Sequence, residues 1–130
     1  MMRSSETRAR AMAQAAADKL GTGTVILEVG SVLSIVEHFV ITSASNSRQV
    51  RAIAEEVEDR VKREGGGGPI RVEGLGDGMW VLLDYGDVVV HVFLEETRQF
   101  YDLERLWRDV PRQEIDAEPP PSGSDSSRLG

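Results

Sequence analysis

The chain has no cysteine, which excludes disulfides and thiolate metal sites and fits a cytoplasmic protein. No apolar run approaches the roughly eighteen residues that a membrane-spanning helix needs, so no membrane partner is expected. The N-terminus lacks an apolar segment and carries Arg3, Arg8 and Arg10 in an alanine-rich stretch, which does not read as a secretory signal. Cations are in deficit, with 15 Lys and Arg against 22 Asp and Glu and a formal net charge of −7. Phosphate neutralisation needs clustered Lys and Arg, so direct nucleic-acid binding is not expected, whereas a basic protein surface suits an acidic domain. The two histidines, His38 and His91, lie far apart without HxxxH spacing, so no structural zinc site is expected. Aromatics are scarce too: two Trp, two Tyr and three Phe, so their placement is informative.

The chemistry-bearing motifs fall short of known templates. Gly74-Leu75-Gly76-Asp77-Gly78 precedes a strand, whereas a dinucleotide fingerprint opens a helix after one. The Gly65–Gly68 run lacks the Lys-Ser/Thr of a phosphate loop and reads as a connector. No serine occupies a G-x-S-x-G elbow. One enzymatic alternative is specific enough to test, a Mg²⁺-dependent nucleotidyltransferase-like site. Asp84 and Asp87 would hold the metal, and the Ser43–Ser47 cluster would offer helix N–H groups to a phosphate. Against it, aspartates bracketing a turn are favoured for local hydrogen bonding anyway. The Gly-Ser and Asp-x-Asp arrangement of such enzymes is absent, with Phe39-Val40-Ile41 filling the corresponding strand. No catalytic residue, cofactor or metal is therefore assigned.

What is present concentrates between Met79 and Trp107. Two apolar runs, Met79–Leu83 and Val88–Phe93, flank Asp84-Tyr85-Gly86-Asp87 and predict a β-hairpin with Gly86 at positive φ. The simplest register sets Asp84 opposite Asp87, Leu83 opposite Val88 and Trp80 opposite His91. Alternation then places Trp80, Leu82, His91 and Phe93 on one face and Val81, Leu83, Val88, Val90 and Val92 on the other. Phe100, Leu103 and Trp107 recur at helical spacing, with Leu106 beside them, and predict one helix burying Phe100 and Leu103. Arg98, Tyr101, Glu104 and Arg105 occupy its neighbouring face. Four of the seven aromatics, Phe93, Phe100, Tyr101 and Trp107, fall between Phe93 and Trp107, and aromatics with a polar tip favour partner interfaces.

Along the rest of the chain, an alanine-rich helix is expected over residues 3–20, ended by Gly21 and Gly23. Strands follow at 24–29 and 39–42, then a helix from Ser47 to Glu64 with Val50, Ile53, Ala54, Val57 and Val61 as its apolar stripe. A third strand covers 70–73. The pattern predicts an α+β fold with helices packed on a mixed sheet. At this length the chain is one domain over residues 1–111. Residues 112–130, rich in Pro, Ser, Gly and acids, are expected to be a disordered tail.

WVLLDYGDVVVHVF followed by R-x-F-Y-x-L-E-x-L-W resembles the signature of the ribosomal silencing factor family, also called Iojap-related proteins. The resemblance extends upstream through Glu37-His38-Phe39-Val40-Ile41-Thr42-Ser43, Ser47-Arg48-Gln49-Val50 and Glu73-Gly74, and so spans about Ala9 to Val110. It implies a nucleotidyltransferase-like topology without the catalytic motif. The implied function is repression of translation under nutrient limitation. Its members dock on protein fourteen of the large ribosomal subunit, block joining of the small subunit, and form homodimers. Where the family usually carries Asp-Tyr before the Phe-Val-Ile strand, this chain has Glu37-His38, which keeps the charge and alters the reach. The residues expected to meet the ribosomal protein are Trp80, His91, Phe93, Arg98, Tyr101, Glu104 and Trp107.

Overall fold

A computed structural model describes residues 4–118. Helix α1 (Ser5–Asp18) opens where the Ser4 hydroxyl accepts from the Thr7 N–H. Strands β1 (Thr22–Glu28) and β2 (His38–Ala44) lead to helix α2 (Ser47–Arg63). Asn46, within the serine-rich cluster, caps α2 by accepting from the Gln49 N–H at 2.8 Å. Strands β3 (Arg71–Glu73), β4 (Trp80–Asp84) and β5 (Val88–Leu94) follow, then helices α3 (Glu95–Tyr101) and α4 (Leu103–Leu106) and strand β6 (Arg112–Glu114). The six strands form one sheet in the order β3-β4-β5-β2-β1-β6, parallel between β2 and β5 and antiparallel elsewhere. The expected α+β architecture with a mixed sheet is therefore what the chain adopts.

Strand alternation divides the core in two. Ile26, Val40, Val81, Leu83, Val88, Val90 and Val92 face α1 and α2, meeting their Ala9, Met12, Ala13, Ala16, Val50, Ile53 and Val57. The alanines of α1 let its axis approach the sheet closely, which a longer side chain would prevent. The opposite face carries Val25, Leu27, Ile41 and Phe93, covered only in part by Leu33, Val36, Leu103, Trp107 and Val110. This thinner second layer is where the candidate site lies.

The structure corrects several expectations. Trp80 pairs with Phe93, Leu82 with His91 and Asp84 with Val89, a shift of two residues from the expected register. Tyr85 donates to the Val88 carbonyl at 2.9 Å around a two-residue loop, Gly86-Asp87, with φ +93° at Gly86. Such a loop, with glycine first, matches strand twist better than the longer turn does. A shift of two preserves the side-chain faces, so the face assignment stands. The left-handed residue closing α1 is Leu20 (φ 70°), not a glycine. Gly21 serves closeness instead, since a Cβ there would sit 2.3 Å from the Thr42 hydroxyl oxygen.

Two corrections concern the C-terminal third. Asp102 adopts φ 48° and breaks the single expected helix into α3 and α4. Phe100 is consequently not core: it is 80% exposed, while Leu103 packs against the second apolar layer. Strand β6 lies within the stretch expected to be disordered. It pairs with β1 through Leu27 and Arg112, Ile26 and Gln113, and Val25 and Glu114. Beyond it Ile115 donates to the Thr24 carbonyl at 2.9 Å and packs on the helix-side core, and Glu118 donates to Asp18. The domain thus continues past 111, and the rest of the expected tail, 119–130, lies outside the described residues. A chain ending at Pro111 is expected to be about 2 kcal/mol less stable than one ending at Glu118, from a few lost hydrogen bonds and the Ile115 contact. Denaturant melts of the two truncations check this, and equal midpoints would show that β6 contributes nothing.

Candidate partner-binding site

On the partly covered face, aromatic rings form a continuous chain. Trp107 meets Phe39 edge-on at 5.5 Å between centroids, and Phe39 meets His91 at 4.8 Å. His91 lies 6.0 Å from Trp80, which packs on Phe93 at 4.7 Å and on Tyr101 at 5.0 Å. Phe100 continues the row from Tyr101, again at 5.0 Å. Phe39 was not among the expected site residues. Its signal was its place two residues before Ile41 on a strand, which gives both the same face.

The row passes from buried to exposed. Phe93 and His91 are buried, Trp80, Phe39 and Trp107 are half-buried, and Tyr101 is 55% exposed. Met79 and Leu75 are exposed beside Trp80 in the chain, and Trp80, Leu82, Glu73 and Gly74 line a hollow of about 310 Å³. Of the expected set, then, Trp80, Tyr101 and part of Trp107 are presented to solvent. Phe93 and His91 support them from below. The Trp80 indole Nε1–H donates to His91 Nδ1 at 3.1 Å. Burial pushes the His91 pKa down to about 4, so the ring is neutral and Nδ1 is free to accept.

Arg98 and Glu104 are engaged within the chain. The Arg98 guanidinium donates to the Thr22 carbonyl at 3.1 Å, the Gly23 carbonyl at 2.8 Å, Ser43 Oγ at 2.9 Å and Glu104 Oε1 at 3.0 Å. Gly23, at φ +57° where β1 bulges, leaves room for it: a Cβ would stand 3.2 Å from Arg98 Nη1. Arg98 therefore fastens α3 and α4 to the sheet rather than projecting outward.

The loop before Trp80 is likewise held. Arg51 of α2 donates to the carbonyls of Leu75 at 2.9 Å and Gly76 at 3.0 Å. Gly74 and Gly78 both have positive φ, and a Cβ on Gly74 would fall 2.0 Å from the Trp80 carbonyl oxygen. The glycine cluster thus acts as a tight turn that sets where Trp80 begins its strand.

The parts of the enzymatic alternative are not brought together. Asp84 accepts from the Gly86 N–H and pairs with Arg71, while Asp87 pairs with Arg8. Val88 lies opposite His38 at the start of parallel strand β2, and the α2 N-terminus follows the other end of that strand, at Ala44. Six residues of strand separate the two places, about 20 Å. Among the described residues no group of three or more His, Asp or Glu is arranged to hold a metal ion.

Comparison with known proteins matches residues 2–128 to the family described as ribosomal silencing factor during starvation. The chain belongs to the ribosomal silencing factor family. The ribosomal silencing factor RsfS of Bacillus subtilis is 38% identical over 104 residues, covering 80% of this chain and 87% of that protein. A mouse relative, named mitochondrial assembly of ribosomal large subunit protein 1, is 30% identical over 84 residues, 63% of this chain and 37% of its own. Among solved structures, a Chromobacterium violaceum protein superposes with a TM-score of 0.78 at 29% identity, covering 92% of each chain. In this silencing-factor chain the signature stretch maps onto β4, β5, α3 and α4, which with Phe39 of β2 carry the aromatic row.

Proposed function

We propose that the chain is a ribosome-binding translational repressor. It docks on the large subunit through protein fourteen, at the face that meets the small subunit, and blocks subunit joining by occupying that space. Translation falls accordingly when nutrients are scarce. The observation that carries this reading is the exposed end of the aromatic row, Trp80, Tyr101 and Phe100 with Met79, on the sheet face opposite α1 and α2. Exposed acids lie along the same segments, Glu73 and Asp77 before Trp80 and Glu96 and Asp102 around Tyr101. An apolar anchor with an acidic surround fits a basic ribosomal protein. The family description and the large-subunit name of the mouse relative point the same way. Repression of this kind is steric and uses no cofactor or bond chemistry. The reading includes a cytoplasmic location and a homodimer, for which the edge strands β3 and β6 offer unpaired backbone groups.

Purified protein is expected to co-sediment with isolated large subunits without added nucleoside triphosphate, and to lower the yield of joined ribosomes when small subunits follow. Absence from the large-subunit fraction, or a requirement for triphosphate turnover, overturns the proposal.

A further inference from the structure

We infer that His91 is a positioning residue for Trp80, holding the indole in the orientation in which its outer face is offered to the ribosomal partner. The inference rests on the docking reading above and assigns a role to a residue that a partner cannot touch.

His91 is an awkward choice for the interior. It is only 5% exposed, boxed between Phe39 at 4.8 Å and Phe93 at 6.2 Å. Its Nδ1 accepts from the Trp80 indole, so in the neutral ring the proton sits on Nε2. That Nε2 is buried with no hydrogen-bond partner. An unpaired buried donor costs stability, and a phenyl ring of similar size would fill the space without that cost. What phenylalanine cannot do is accept a hydrogen bond. Because burial keeps the imidazole neutral, the acceptor is present throughout the physiological range.

Trp80 needs such a partner more than a core tryptophan would. It is half-buried at the start of β4, directly after the glycine turn, with its ring packed against Phe93 and Tyr101. The tilted ring contacts, at 34° to Phe93 and 50° to Tyr101, are non-directional and allow the indole to slide or rotate, whereas the Nε1–H bond fixes its azimuth. A side chain held in its bound orientation before contact loses less entropy on docking.

The inference separates stability from affinity. His91→Phe is expected to melt at or above the parent temperature and yet bind isolated large subunits about fivefold more weakly, the effect of one lost hydrogen bond. His91→Asn keeps an acceptor near the Nδ1 position but leaves a void. It is expected to melt lower and to bind within about twofold of the parent. In a Trp80→Phe background, which has no N–H to hold, His91→Phe should cost nothing further. By NMR the Trp80 indole N–H should exchange faster with solvent in His91→Phe and stay protected in His91→Asn.

Parent-like binding by His91→Phe, or equal weakening in both variants, overturns the inference, because the loss would then follow the ring and not the acceptor. A His91→Phe protein that fails to fold also overturns it, since the ring exchange is expected to be harmless to the core. Normal binding by Trp80→Ala would instead remove Trp80 from the docking surface, and the positioning role with it, whereas failure of the parent to co-sediment removes the docking reading itself. Weak binding by Trp80→Ala beside normal binding by His91→Phe removes the positioning role alone.

Discussion

Trp80→Ala is expected to lose tenfold or more in affinity for the large ribosomal subunit while remaining folded. Truncating a tryptophan at the centre of an interface commonly costs about 2 kcal/mol or more of binding free energy. The fold also loses something, because the ring packs on Phe93 and Tyr101 and bonds to His91. Trp80 is only half-buried, so that loss should fall well short of the roughly 3–5 kcal/mol of a core tryptophan. A domain with about 5–15 kcal/mol in reserve survives it. Val90, fully buried under the helices on the other face, supplies the contrast. Val90→Ala should cost about 2–3 kcal/mol of stability by leaving a cavity, and its folded fraction should bind normally. Denaturant melts and co-sedimentation of both variants decide the matter. If Trp80→Ala binds like the parent, the anchor moves to Tyr101 and Phe100.

That experiment was half legible in the sequence. Strand alternation alone put Trp80, His91 and Phe93 on one face, and the two-residue register shift could not undo it, since faces repeat every second residue. The helices facing the core were legible for the same reason, being marked by periodic apolar residues. Strand β6 was not. Arg112, Gln113 and Glu114 are all exposed, and the strand is held by backbone bonds to β1, which any composition can make. Polar composition therefore reads as a tail although the backbone is paired. Phe100 misled for a different reason. Its spacing to Leu103 and Trp107 is helical, but the spacing matters only if one helix spans all three, and the left-handed Asp102 ends it between them. The aromatic row depends on that break, which leaves Tyr101 over Trp80 and turns Phe100 outward.

The same break decides what Arg98 does, and Arg98→Ala is expected to lower stability by about 2–3 kcal/mol. On a continuous helix Arg98 and Glu104, six positions apart, would point about 120° away from each other. With α3 and α4 separated at Asp102 they meet at 3.0 Å, with side chains only 15% and 22% exposed. The guanidinium donates to four acceptors, two of them carbonyls at the β1 bulge. Removing it leaves Glu104 with Arg112 alone, at 3.4 Å, and unpairs the Gly23 carbonyl. Lysine is expected to recover less than half of the loss, because one ammonium cannot serve a forked set of acceptors. Affinity should fall too, but only because α3 no longer holds Tyr101 against Trp80. The weakening should therefore be largely independent of salt. A guanidinium that touched the ribosomal partner directly would behave in the opposite way. Its loss would spare the melting midpoint and flatten the salt dependence of binding. Denaturation curves of Arg98→Ala and Arg98→Lys, with co-sedimentation at low and high salt, distinguish these outcomes. An unchanged midpoint beside lost, salt-sensitive binding would return Arg98 to the partner surface and leave α3 and α4 held by their apolar contacts alone.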